Sequence, residues 1–153
     1  MRRRPITNES EIFEIIGKAR WCHVAMVDPE GKPYLLPMNF GFRDGVIYLH
    51  GAQHGKKIDC LKNNPEVCIN FSIDHELRYQ NEDVACSYSM KYRSVLAYGR
   101  VEFIEAPEEK TAALDIIMSQ YTGRPFRYNP PSIKEVCCFS VKPGRFEGRI
   151  FGY

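Results

Sequence analysis

Between Val46 and Asn64 the chain reads VIYLHGAQHGKKIDCLKNN, a strand-like run followed by two glycines, two histidines, two adjacent lysines and a short helix-like run. Residues of these types, in this order, can hold an anion. Glycines let backbone N–H groups approach it closely, a helix N-terminus carries about half a positive charge, and two ammonium groups stand beside that terminus. One terminal phosphate, with roughly two negative charges near neutral pH, suits such a set and needs no metal. A Walker A loop is excluded, because Gly51 and Gly55 enclose three residues instead of four and Lys57 stands where Ser or Thr should bind magnesium. No G-x-G-x-x-G supports a Rossmann dinucleotide site either. A polar strand-to-helix turn with solvated lysines fits the loop as well as a phosphate site does.

Of the histidines, His50 ends the strand just before the loop, where the phosphate end of a cofactor would sit. Imidazole can donate, accept or act as an acid near neutral pH, so His50 is the candidate catalytic group. His54 lies in the loop and could lend a donor or face water; His23, beside Trp21 and Cys22, reads as a strand residue with a satisfied hydrogen bond. The six cysteines show no C-x-x-C spacing, and Cys137 and Cys138 are adjacent, so buried thiols in a reducing compartment are expected, not a disulfide framework. The His and Cys positions lack the paired spacing of a structural zinc site, and no metal is expected.

At 153 residues the chain is expected to form one domain, 1–153, with residues 1–7 a flexible tail. Its 21 Lys+Arg against 19 Asp+Glu give a net charge of +2, too little for a global field that would draw nucleic acid or membrane. MRRRPITNESE has the charge of a signal peptide's first part without the apolar run, and nothing approaches the roughly 20 apolar residues of a membrane span. A cytoplasmic protein is expected, with Arg2, Arg3 and Arg4 solvated.

The elements that must position the loop can be read from periodicity and turn chemistry. Asn8 with Glu11 resembles a capping box, and Ile12, Ile15, Ile16 and Ala19 share a helical face over about 9–20. Strands follow at 21–27 and 34–42. Asp44-Gly45 predicts a hairpin between strands near 34–43 and 46–50, because a type I′ turn needs positive φ at both central residues. A helix over 55–64 stops at Pro65, and in EVCINFSI the residues Val67, Ile69, Phe71 and Ile73 alternate onto one face. No period is visible over 74–91, which reads as a long loop. A strand covers 92–105, and a helix begins at Pro107 with a stripe of Leu114, Ile117, Met118 and Tyr121. TGRPFRYNPPS reads as an irregular linker, and two strands about Lys142-Pro143-Gly144 finish the chain. So many strands with so few helices predict a mainly β (α+β) protein, an antiparallel barrel with peripheral helices.

Taken together, PYLLPMNFGFRDGVIYLHGAQHGKKIDCLKNNPEVCINF and YRSVLAYGRVEFIE resemble the flavin-binding split-barrel superfamily, the pyridoxamine 5′-phosphate oxidase-like proteins, and within it the nitroimidazole-resistance (Nim) type branch. The resemblance runs over about residues 6–151 and implies a split barrel of about six strands, of Greek-key type. It implies FMN as cofactor, its phosphate held by Gly51, Gly55, Lys56 and Lys57 with His50 and Ala52 beside them. Pro37, Met38, Asn39 and Phe40 match a strand whose backbone lines the isoalloxazine ring. Tyr92, Arg93, Ser94 and Val95 match a strand that approaches the flavin from a second subunit, which implies a homodimer with two interfacial sites. The chain ends GRFEGRIFGY, without the Arg- and His-containing segment that holds the second phosphate in pyridoxamine-phosphate oxidases proper, so vitamin B6 oxidation is not expected. The function expected is that of an FMN-dependent oxidoreductase passing electrons from a reduced nicotinamide to a small organic or nitroaromatic acceptor. Two alternatives stay open: a non-catalytic flavin-storage or redox-sensing module, and a haem-binding split barrel using His50, His54 or His75.

Overall fold

The computed structural model describes residues 3–153. Nine strands and four α-helices follow in the order β1 Arg3–Ile6, α1 Glu9–Lys18, β2 Cys22–Val27, β3 Pro33–Met38, β4 Gly41–Arg43, β5 Val46–Ala52, α2 Lys56–Asn63, β6 Glu66–Arg78, β7 Ser89–Ile104, α3 Pro107–Ser119, α4 Pro130–Glu135, β8 Val136–Val141 and β9 Arg145–Phe151. Every pairing is antiparallel. The hydrogen-bonded path runs β3-β2-β6-β7-β8-β5-β4, with β9 on β7 and β1 on β9. No pairing among the described residues joins β3 to β4, so the barrel is split, and it has nine strands where about six were expected.

The sixteen-residue β7 organises this arrangement. Its middle pairs with β6 on one side and β9 on the other, while Val101 to Ile104 pair with β8. The wall carrying β2, β3 and β6 is thereby joined to the wall carrying β5 and β8. Alternating residues from both walls form the core: Val24, Ile69, Phe71 and Val95 meet Phe40, Ile47, Leu49, Phe139 and Val141, all fully buried. Phe40 and Phe71 pack edge to face with centroids 4.8 Å apart.

Several expectations need correction. Arg3 to Ile6 are not a tail; they pair with Phe151 to Gly148, because Ile6 is 5% exposed and burying it stabilises the edge by about 1.5–3 kcal/mol. The rest of the expected tail's start, Met1 and Arg2, lies outside the described residues. Asn8 does cap α1, accepting from the Ser10 N–H at 2.9 Å, but Glu11 reaches Arg4 at 3.2 Å instead of completing a box. The 34–42 strand breaks after Met38. The hairpin forms as expected, with Asp44 at φ 52° and Gly45 at φ 78°.

The expected loop over 74–91 is largely strand: β6 continues to Arg78 and β7 begins at Ser89, with a bulge between Ile73 and Glu76 where Asp74 takes φ 55°. This arm projects beyond the core, so residues on both its faces are exposed and no period marks it. The linker contains α4, capped by Asn129, whose side chain accepts from Ser132 N–H at 2.8 Å, with Pro130 in the first turn. No described helix is long and apolar enough to cross a membrane.

Candidate cofactor-binding site

Pairing with β8 holds β5 in register to its last residue, with His50 opposite Cys138, Gly51 opposite Cys137 and Ala52 opposite Val136. The chain then leaves the sheet, and Gln53 Nε2 ties the turn down by donating to the carbonyls of Val136 at 2.9 Å and Lys134 at 3.2 Å. Gly55 is the N-cap of α2 at φ 117°, a conformation that L side chains rarely adopt, and no side chain caps the helix. The first N–H groups of α2 are therefore left without a protein acceptor from the cap.

Lys57 folds back over β5. A Cβ at Gly51 would overlap its Nζ and come within 3.0 Å of its Cε, so the missing side chain is what lets the ammonium lie on the strand end. Burial pulls the Lys57 pKa below its ordinary value, with Cys137 opposing. The His50 pKa is lowered too, by burial first and by Lys57 second. His50 is thus kept as neutral imidazole at pH 7, a donor and acceptor in place of a third cation. Lys56 is exposed and stands 4.6 Å from the Tyr34 ring centroid on β3. Among the described residues, neither Lys56 nor Lys57 has an ion-pair partner. Asp59, the acidic residue of the first turn, pairs with neither. Uncapped N–H groups, one desolvated ammonium, one exposed ammonium and a glycine floor form a cradle for a dianionic group, and a phosphate fits it.

The other expected residues divide. Pro37 and Asn39 are exposed at the end of β3 and open to a ligand. Met38 and Phe40 point into the core, at 7% and 0% exposure, and their backbones are engaged: the Phe40 N–H donates to Tyr121 Oη at 3.1 Å, and the Met38 carbonyl accepts from Cys22 Sγ at 3.5 Å. Tyr92, Arg93, Ser94 and Val95 lie on the part of β7 between β6 and β9, away from the β5 loop. Val95 is fully buried, Arg93 is tied to the Asp74 carboxylate and lies 4.1 Å from the Tyr153 ring centroid, and Tyr92 stacks on Phe151. Ser94 is half-buried.

Three residues that shape the site escape sequence reasoning: Tyr34, Gln53 and Tyr121. Gln53 sits inside the quoted loop, and its amide was the one available signal. The contacts of Tyr34 and Tyr121 join positions 22 and 81 residues apart, which no local pattern reveals.

With this geometry the chain belongs to the pyridoxamine 5′-phosphate oxidase family, which it matches over residues 8–150. It is similar to a candidate 5-nitroimidazole antibiotic resistance protein from Bacteroides thetaiotaomicron, at 43% identity and TM-score 0.89, over 98% of this chain and 88% of that one. The fold is shared with the FAD and heme binding protein from Mycobacterium smegmatis, at 17% identity and TM-score 0.85, over 97% and 74% of the two chains. It is shared as well with a flavocytochrome from Azotobacter vinelandii, at 19% identity and TM-score 0.83, over 99% and 70%. No curated protein matches the chain.

Proposed function

We propose that this protein binds FMN and, as a homodimer with its flavin sites at the subunit interface, passes electrons from a reduced nicotinamide to a small organic or nitroaromatic acceptor. The observation that carries the reading is the pair Lys56 and Lys57, unpaired with any carboxylate among the described residues, beside the uncapped start of α2. The 43% identity to a candidate 5-nitroimidazole antibiotic resistance protein favours a nitroaromatic acceptor.

The bound flavin supplies the electron chemistry, accepting from one substrate and reducing another. The chain's own residues bind and orient. Gly51 and the first turn of α2 present N–H groups to the phosphate, Lys57 neutralises it in a half-buried setting, and Lys56 adds charge from the solvent side. Pro37 and Asn39 offer the exposed edge of β3 to the ring. His50, neutral, holds one proton that it can give or share beside the cradle. Tyr92 to Val95 of a partner subunit would close the opposite side, with Ser94 as its polar contact.

The test is the visible spectrum of the purified protein after FMN is added and the excess removed, followed by turnover with NADH or NADPH and a 5-nitroimidazole. Retained bands near about 370 and 450 nm with turnover above background are expected. A protein that stays colourless overturns the cofactor, and a protein that keeps FMN with background turnover is a storage or sensing module.

A further inference from the structure

Beside the β5–α2 turn lies a cavity of about 650 Å³, walled by that turn, the start of α3, and α4 with the segment before it. Its volume is that of a small-molecule site. Thr111, Pro130, Ile133 and Tyr128 line it, and so does Lys110. Lys110 is 6% exposed, on the buried face of α3 where an apolar residue belongs. Its Nζ donates to the carbonyls of Val136 at 2.8 Å and, weakly, Ile133 at 3.4 Å. An ammonium has three donors, so one is left over, and no carboxylate among the described residues pairs with it. A buried cation held only by carbonyl dipoles retains its net charge, and an isolated charge away from water is costly.

Glu105 and Glu108 also line the cavity, but both are exposed, where water screens them, whereas Lys110 is enclosed. Tyr128 adds its ring, and its buried hydroxyl lies by Asp115; burial first and Asp115 second push it up to about 12, so it stays protonated.

We propose that this cavity is a second binding site, for a small molecule with an apolar body and one carboxylate, the carboxylate taken by Lys110 and the body lying against Pro130, Ile133 and the Tyr128 ring. The proposal does not rest on flavin binding. It does connect with the loop, since the Val136 carbonyl accepts from both Lys110 Nζ and Gln53 Nε2. The Gln53 side-chain amide is therefore a reporter on the cavity.

The experiment is a titration of the full-length protein, with and without FMN, followed by amide NMR, with benzoate as the probe and benzylammonium as its cationic counterpart. Benzoate is expected to shift the Gln53 side-chain amide and the Thr111, Ile133 and Lys134 backbone amides saturably, with a Kd on the order of 1 mM, and benzylammonium at least about tenfold more weakly. Thr111→Trp, which fills the cavity and gives up only the hydrogen bond of the Thr111 hydroxyl to the Pro107 carbonyl within the same helix, should weaken benzoate about tenfold or more in a folded protein. The proposal is overturned if benzoate produces no saturable shift, if benzylammonium binds the same amides as well, or if folded Thr111→Trp binds benzoate unchanged.

Discussion

Two regions of this molecule present pairs of cations close together, and they treat them in opposite ways. In the β6–β7 arm, Arg93 is bound to Asp74, Lys91 is 2.8 Å from Glu76, and both cations lie over the Tyr153 ring, at 4.1 and 4.2 Å from its centroid. Tyr153 Oη in turn donates to the Asp74 carbonyl at 2.6 Å. That cluster is neutralised from within and holds the bulge together. In the β5–α2 loop, Lys56 and Lys57 have no carboxylate partner among the described residues, and the helix dipole adds to their charge. Cations matched inside the chain are spent on the fold, whereas cations left unmatched beside free N–H groups are the ones we propose to take an anion. The same residue types thus take different roles according to what the fold sets against them.

The largest expected effect tests the unmatched side. Lys57→Ala should weaken FMN binding by about 2–3 kcal/mol, roughly thirty- to a hundred-and-fiftyfold by fluorescence titration, because its charge is half desolvated. Lys56→Ala, with its charge in solvent, should lose about 1.5 kcal/mol, near tenfold. Riboflavin, which lacks the phosphate, should bind wild type and both variants alike. Equal loss for riboflavin would show that the lysines support the fold and not the phosphate.

On the matched side, Arg93→Ala should lower stability in urea by at most about 1 kcal/mol, as for other partly exposed pairs, and leave FMN affinity within about threefold. A loss matching that of Lys57→Ala would end the distinction and show that the Arg93 charge itself, beyond the strand that carries it, holds the flavin.

The smallest effect is a pH dependence. Because folding lowers the His50 pKa below 6.5, the unfolded chain binds more protons there, and stability rises with pH. The full contribution is present above 6.5 and is lost as pH falls through the lowered folded value. Urea melts of the FMN-free protein across that window should show this slope, and His50→Asn should flatten it. An unchanged slope would mean that other groups produce it.

Where the pattern was local, the sequence was legible. The Asp44-Gly45 hairpin, the β6 face of Val67, Ile69 and Phe71, and the β5-loop-α2 succession all follow from contacts within a few residues. The α3 stripe was judged correctly at Ile117 alone: Leu114 and Met118 are half-buried and Tyr121 exposed, while Lys110, Ala113 and Ile116 face inward with Ile117. The helix packs on β4 and β5 and also touches α4, so its buried face is broader and rotated from the one hydropathy selects. The Asn129-Pro130-Pro131-Ser132 run was legible as a helix start and read as linker, because the helix it opens is only six residues long.

What the sequence by itself determined was the succession of strand, glycine-rich loop, adjacent lysines and helix, since these groups lie only a few positions apart and local pattern suffices to order them. Only the tertiary structure decided which of these groups are free. Whether a cation meets a carboxylate, as Arg93 does across 19 residues and Lys57 does not among the described residues, depends on strands brought together over long separations. Burial then sets how much each unmatched charge is worth.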